Sequence, residues 1–157
     1  MLAEYYLQIK WLHILGATVL FGTGLGTAFH FWHTLRVGSV AAIAASARAT
    51  VLADWLFTST AGILQPVTGL ILADAAGYPL SSLWIAGSAL LYVVAAACWI
   101  PVVFLQLRMR ALAERCEREG TLPGADFHAM RRRWFLLGWP AFLALLLVFW
   151  LMVAKPS

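Results

Sequence analysis

The chain has 157 residues, of which 62% are apolar and only 11% are charged. A water-soluble domain of this size has too little interior to hide so many apolar side chains, so the composition excludes a soluble enzyme or binding module and places the chain in lipid. The net charge of +4 does not argue for nucleic acid, because the basic residues gather in two connections between apolar runs, where membrane topology accounts for them.

Four apolar runs follow in chain order, Tyr6 to Trp32, Val51 to Leu72, Leu83 to Leu107 and Trp134 to Val153. Each approaches or exceeds the roughly 20 residues that a helix needs to cross a bilayer. They predict an all-α fold, a four-transmembrane-helix antiparallel bundle forming a single domain over 1–157. No basic segment precedes the first run and no small-residue cleavage site closes it, so it reads as a true span rather than a signal peptide. Cys98 lies in the third run and Cys116 in a connection, without CxxC spacing; both read as free thiols rather than as a disulfide or zinc site.

Arg36 and Arg48 fall between runs one and two, and Arg108, Arg110, Arg115, Arg118, Arg131, Arg132 and Arg133 between runs three and four. The opposite side holds only Lys10 and Lys155. The positive-inside rule then predicts a multi-pass membrane protein with both termini outside, which in a bacterial inner membrane is the periplasm, and both connections cytoplasmic. Tryptophans fit the belt expected of such a protein, with Trp11, Trp84 and Trp150 at one interface and Trp32, Trp55 and Trp134 at the other. Trp99 and Trp139 fall deeper, where packing or a cofactor is the expected neighbour.

Beyond run three, Arg110 stands four residues before Glu114, Glu114 four before Arg118 and Arg115 four before Glu119. This spacing predicts a solvated continuation of the helix. Gly120 is a C-cap candidate, Pro123 and Gly124 turn the chain, and Asp126 is a candidate N-cap for a helix running through Arg131 to Arg133 into run four. The result is a cytoplasmic helical hairpin between helices three and four. Pro66, Pro101 and Pro140 lie inside runs two to four and predict kinks where a backbone donor is missing.

Ionisable groups within a span are costly and usually functional, and His13, His30 and His33 all fall in or beside run one. At about 100° per residue, His13 and His30 share an arc with Gly16, Thr23, Thr27 and Thr34, while His33 points elsewhere. In run two, Asp54, Thr58, Ala61, Gly62, Gln65, Thr68 and Gly69 share one arc; in run three, Ser81, Trp84, Ser88, Tyr92, Trp99 and Gln106 do the same. Runs one to three are thus expected to surround a polar interior, with run four mainly a lipid-facing wall. Antiparallel threading sets His30 and Asp54 at one depth, where the carboxylate would orient the imidazole. His13 and His30 lie about 25 Å apart along the helix, too far to share one iron.

Lys10-x-x-His13, the glycines at 22, 24 and 26, and the histidine at 30 resemble the first helix of small bacterial membrane proteins in the superfamily of copper-resistance protein D and the HemJ-type protoporphyrinogen oxidase. Ala-Asp-Trp at 53 to 55 and Gly62-Ile-Leu-Gln-Pro-Val-Thr-Gly69 resemble an uncharacterised family of predicted integral membrane proteins in that group. The resemblance covers roughly the first half of the chain. It implies a small helical membrane fold associated with haem or porphyrin, and it puts the role of iron ligand on His13. Copper transport is a poorer match, because Cu(I) recruits clustered Met or Cys and Met109, Met130 and Met152 are scattered.

The leading expectation is an inner-membrane protein that binds b-type haem or a porphyrin and takes part in membrane redox chemistry. His13 would be the iron ligand, with His30, Asp54, Gln65, Tyr92 and Trp99 as candidate cofactor-binding residues. The alternatives are an accessory or interaction protein without a cofactor, and a metal or small-solute permease. Expected partners are the lipid bilayer, a second copy in a homodimer, and a membrane or redox protein; nucleic acid is not among them.

Overall fold

The computed structural model describes residues 2–156. A short 3-10 turn, Leu2–Tyr5, leads into α1 (Tyr6–Val37); α2 (Val40–Ala53), a π-helical turn (Asp54–Thr58) and α3 (Ser59–Ala75) then form one unbroken helix, followed by α4 (Leu83–Glu119) and α5 (Ala125–Ala154). Four helices are therefore long and apolar enough to cross a membrane: α1, the continuous Val40–Ala75, α4 and α5. Leu90, Val93, Phe104, Leu146 and Leu147 are exposed on their flanks, as befits helices whose surroundings are as apolar as their core.

The second span is longer than hydropathy predicts. Its first turns, Val40-Ala-Ala-Ile-Ala-Ala-Ser-Ala-Arg, are moderate in hydropathy but rich in alanine, the strongest helix former. Ser39 starts the helix, its Oγ accepting from the Ala42 amide at 3.3 Å. The connection after α1 shrinks to Gly38 and Ser39, and Arg48 sits on helix α2 rather than in a loop.

The densest packing lies at the arginine-rich end. Phe31 and Leu35 of α1, Ile43, Ala44 and Ala47 of α2, Val102, Met109 and Ala113 of α4, and Phe127 and Trp134 of α5 form one buried cluster. The alanines let α2 and α4 approach closely. Phe31 meets Trp134 edge to face at 5.3 Å. Arg131 donates from Nη1 to the Leu35 carbonyl at 3.0 Å, satisfying one of the carbonyls that the end of α1 leaves free.

α4 runs on to Glu119 and closes at Gly120, whose φ of 65° is the left-handed conformation that favours glycine there. Arg110 reaches Glu114 at 3.0 Å and Arg115 reaches Glu119 at 2.8 Å, two of the three predicted four-residue pairs. Arg110, helped by Arg48 and Arg118, holds the Glu114 carboxyl below its ordinary range. Arg48 also reaches Glu117 at 3.4 Å and Glu114 at 3.7 Å, tying α2 to the α4 extension. The N-cap of α5 is Gly124, with extended backbone, and Asp126 lies inside the first turn instead, where its charge still favours the helix dipole.

α5 exposes Leu143, Leu147 and Trp150 outward, as expected of a wall. Its inner face is nonetheless structural: Phe142 stacks on Phe21 of α1 at 5.2 Å, and Phe149 meets the same ring edge-on at 5.3 Å.

Candidate functional site

Two polar clusters lie inside the bundle, and the helix Val40–Ala75 contributes to both. The first joins α1 to α3 toward the end that carries the chain termini. His13 Nδ1 lies 2.7 Å from Thr68 Oγ1. The Thr68 hydroxyl also lies 2.7 Å from the Leu64 carbonyl; with its single proton on that carbonyl it accepts from His13 Nδ1–H, and with the proton turned to the ring it donates to Nδ1. The first arrangement puts the ring proton on Nδ1 and leaves Nε2 as a lone pair. Gln65 donates from Nε2 to the His13 carbonyl at 2.9 Å, fixing the backbone of the same residue.

Glycines make room for these contacts. A Cβ on Gly69 would stand 3.3 Å from His13 Cε1, and one on Gly16 only 2.6 Å from Gln65 Nε2. One turn from Gln65, Tyr92 of α4 donates its hydroxyl to the Gly62 carbonyl. Pro66, which has no N–H, explains that bond: in an uninterrupted helix the amide of residue 66 would donate to the carbonyl of residue 62. Tyr92 supplies from α4 the donor that proline withholds.

The second cluster joins the α2 end to α4 nearer the arginine-rich end. Asp54 opens the π turn and is 5% exposed. Its Oδ1 accepts from Thr58 Oγ1 at 2.9 Å, Gln106 of α4 faces it, and its Oδ2 has no protein partner. Ser46 Oγ, Thr50 Oγ1 and Gln106 Oε1 are likewise buried without partners. Ser46, Thr50, Asp54 and Thr58 recur at every fourth residue, a spacing that drifts about 40° per step on an ideal α-helix. The wide π turn offsets that drift over its last step, Asp54 to Thr58, and such turns are frequent at functional sites.

The predicted site residues therefore separate. His13, Gln65 and Tyr92 lie along one stretch of α3, from Gly62 to Thr68. Asp54 belongs to the other cluster. Trp99 is half-buried on α4. The expected pairing of His30 with Asp54 is not made: the His30 side chain is exposed, and Asp54 is bonded to Thr58. The reason lies in the rotation of α1, because Phe31 and Leu35 take its inward positions at that depth and turn His30 off the bundle axis. His33 is exposed and stacks on Phe29 at 6.2 Å. Among the described residues no three His, Cys, Asp or Glu side chains converge as a metal site.

A family model described as "Predicted integral membrane protein (DUF2269)" matches residues 7–156. The chain belongs to this family. The match spans all four membrane helices, where the resemblance in sequence rested on the first two. No curated protein and no solved structure matches the chain.

Several residues of these clusters in this DUF2269 protein escape a site reading of the sequence. Thr68 and Gln106 stand out only as members of polar arcs. Hydropathy alone assigns Ser46 and Thr50 to a connection, whereas the helix begins at Val40 and carries both. The four-residue recurrence from Ser46 to Thr58 is the signal that finds them.

Proposed function

We propose that this protein binds haem b or a porphyrin through His13 and serves in redox chemistry within the bacterial inner membrane. The single observation that carries the reading is the 2.7 Å contact of His13 Nδ1 with Thr68 Oγ1, which orients the ring and, with the Thr68 proton on the Leu64 carbonyl, holds Nδ1–H and leaves Nε2 as a ligand lone pair. Metal-binding histidines are commonly oriented by a hydrogen bond at the other ring nitrogen, and that bond also raises their basicity. Gln65 fixes the backbone of the ligand, Gly69 lets the ring lie close to α3, and Tyr92 ties α4 to the same stretch. A haem held there would supply one-electron chemistry at the lipid level. The protein's part would be an iron ligand on His13 and the orientation of that ring. The excess of arginine at the other end supports an orientation with both termini periplasmic, which would put His13 in the periplasmic leaflet.

Reconstitution of the purified protein with haemin tests this reading. The wild type should give a strong Soret band at about one haem per chain, and His13→Ala should abolish it. Thr68→Val, which keeps the shape but removes the acceptor, should weaken binding by about 10- to 100-fold. His30→Ala and His33→Ala should bind as the wild type does. A wild type with no Soret band, or a His13→Ala variant that keeps a full one, would overturn the proposal. The polar contacts would then be helix-registering contacts of an accessory membrane protein.

A further inference from the structure

The second cluster lies outside the His13 reading and points to a different ligand. The chain has seven carboxylates, and among them only Asp54 is buried. A buried carboxylate is expensive unless it is paired with a cation or neutralised, and the groups around Asp54 offer no cation. On its own helix the nearest is Arg48, which reaches away to Glu114 and Glu117. On α4, Arg110 lies one turn past Gln106 and bonds Glu114. On α1, His30 is the titratable group at this depth, and its side chain is exposed.

The partnerless atoms fit this shortage of cations. Asp54 Oδ2 and Gln106 Oε1 are each buried without a hydrogen-bond partner, and the Gln106 amide faces the Asp54 carboxyl. A proton on Oδ2 removes the buried charge and leaves a neutral acid. Toward the arginine-rich end, Thr50 and Ser46 continue from Asp54 on the same helix face. They are 2% and 4% exposed, and their hydroxyls are without partners. Hydroxyls can both donate and accept; Asp54, Thr50 and Ser46 are spaced by about 6 Å of helix rise per step, a gap that one bridging water closes. That path ends beside the charged surface formed by Arg48, Glu114 and Arg110.

We infer that Asp54 is a proton-binding site, a carboxylic acid that exchanges its proton with the arginine-rich face of the protein by way of Thr50 and Ser46. The proton comes from water at that face, binds Asp54 Oδ2 and returns by the same route. No bond other than O–H forms or breaks, and no electron moves.

Infrared difference spectroscopy of the full-length protein in lipid nanodiscs tests the assignment. A protonated carboxylic acid has a C=O stretch above the amide bands. Near neutral pH the wild type should show one, and Asp54→Asn should lose it. Asp54→Glu should restore a band, guarding against loss by misfolding. Gln106→Leu should shift the band to higher frequency by removing the amide that faces the acid. In heavy water the band should move promptly in the wild type and at least about tenfold more slowly in the Ser46→Ala, Thr50→Val double variant. The inference fails if the wild type shows no such band near neutral pH, or if the band survives in Asp54→Asn. An absent band together with stabilisation of the wild type, but not of Asp54→Asn, by sodium chloride over choline chloride would replace the proton with a bound sodium ion. Exchange equally fast in the double variant would overturn the path.

Discussion

Replacing Gly16 by alanine separates two opposing effects at the α1–α3 contact. The new methyl would stand 2.6 Å from Gln65 Nε2 and 3.3 Å from Leu64 Cδ2. The nearer atom is the end of a flexible side chain, so the amide gives way and loses its 2.9 Å bond to the His13 carbonyl. A buried amide left unpaired costs about 1 to 3 kcal/mol. Alanine returns at most about 1 kcal/mol of helix propensity, and less in a membrane, where the unfolded reference keeps much of its helix. The net expectation is a loss of roughly 1 kcal/mol. Gly22→Ala and Gly138→Ala meet no atom within 4 Å, so they should be neutral or gain up to about 1 kcal/mol. Thermal unfolding in detergent reads the difference between the two classes. In a Gln65→Ala background, Gly16→Ala should behave like the open-space glycines, because the group it displaces is gone. A Gly16→Ala variant as stable as Gly22→Ala in the wild-type background would refute the Gln65 contact.

Tyr92→Phe should cost about 1 kcal/mol by leaving the Gly62 carbonyl without a donor. It should cost measurably less in a Pro66→Ala background, where the restored amide takes over; equal costs in the two thermal-unfolding series would refute the proline-compensation account. Topology is checked by cysteine labelling of a background with Cys98 and Cys116 replaced by serine. A membrane-impermeant maleimide added to intact cells should label Lys155→Cys and leave Ser39→Cys and Gly120→Cys unlabelled, and the opposite pattern would reverse the orientation.

The spans were legible in the sequence because hydropathy sums over about 20 residues and forgives local error. The hairpin past Leu107 was legible for a similar reason, since its Arg–Glu pairs repeat at helical spacing. Interior faces were harder. On α3, one polar arc against an apolar remainder identified Gln65 and Thr68 correctly. On α1, the inward face is polar at His13 but apolar at Phe31 and Leu35, so an arc drawn through small and polar residues carried His30 inward where packing turned it out. The beginning of the second span was hidden because alanine is weak in hydropathy and strong in helix formation. Pro66 announced a freed carbonyl, but only three-dimensional proximity could show that Tyr92, 30 residues away, answers it.

The wide turn at Asp54–Thr58 bears on how this chain tolerates changes in length. Such a turn is a helix carrying one surplus residue, held without turning the segments on either side out of phase. Trp55, Leu56 and Phe57, which make up its outward side, are all exposed. Deleting one of them would relax the turn to ordinary α geometry and leave Gln65 and Thr68 facing α1. The same deletion at Ile63, beyond the turn, has no surplus to absorb it and would rotate the preceding helix by about 100° relative to the remainder of α3. Asp54 therefore sits where the chain can lose a residue and keep its fold, with the carboxylate's surroundings, rather than the bundle, bearing the change.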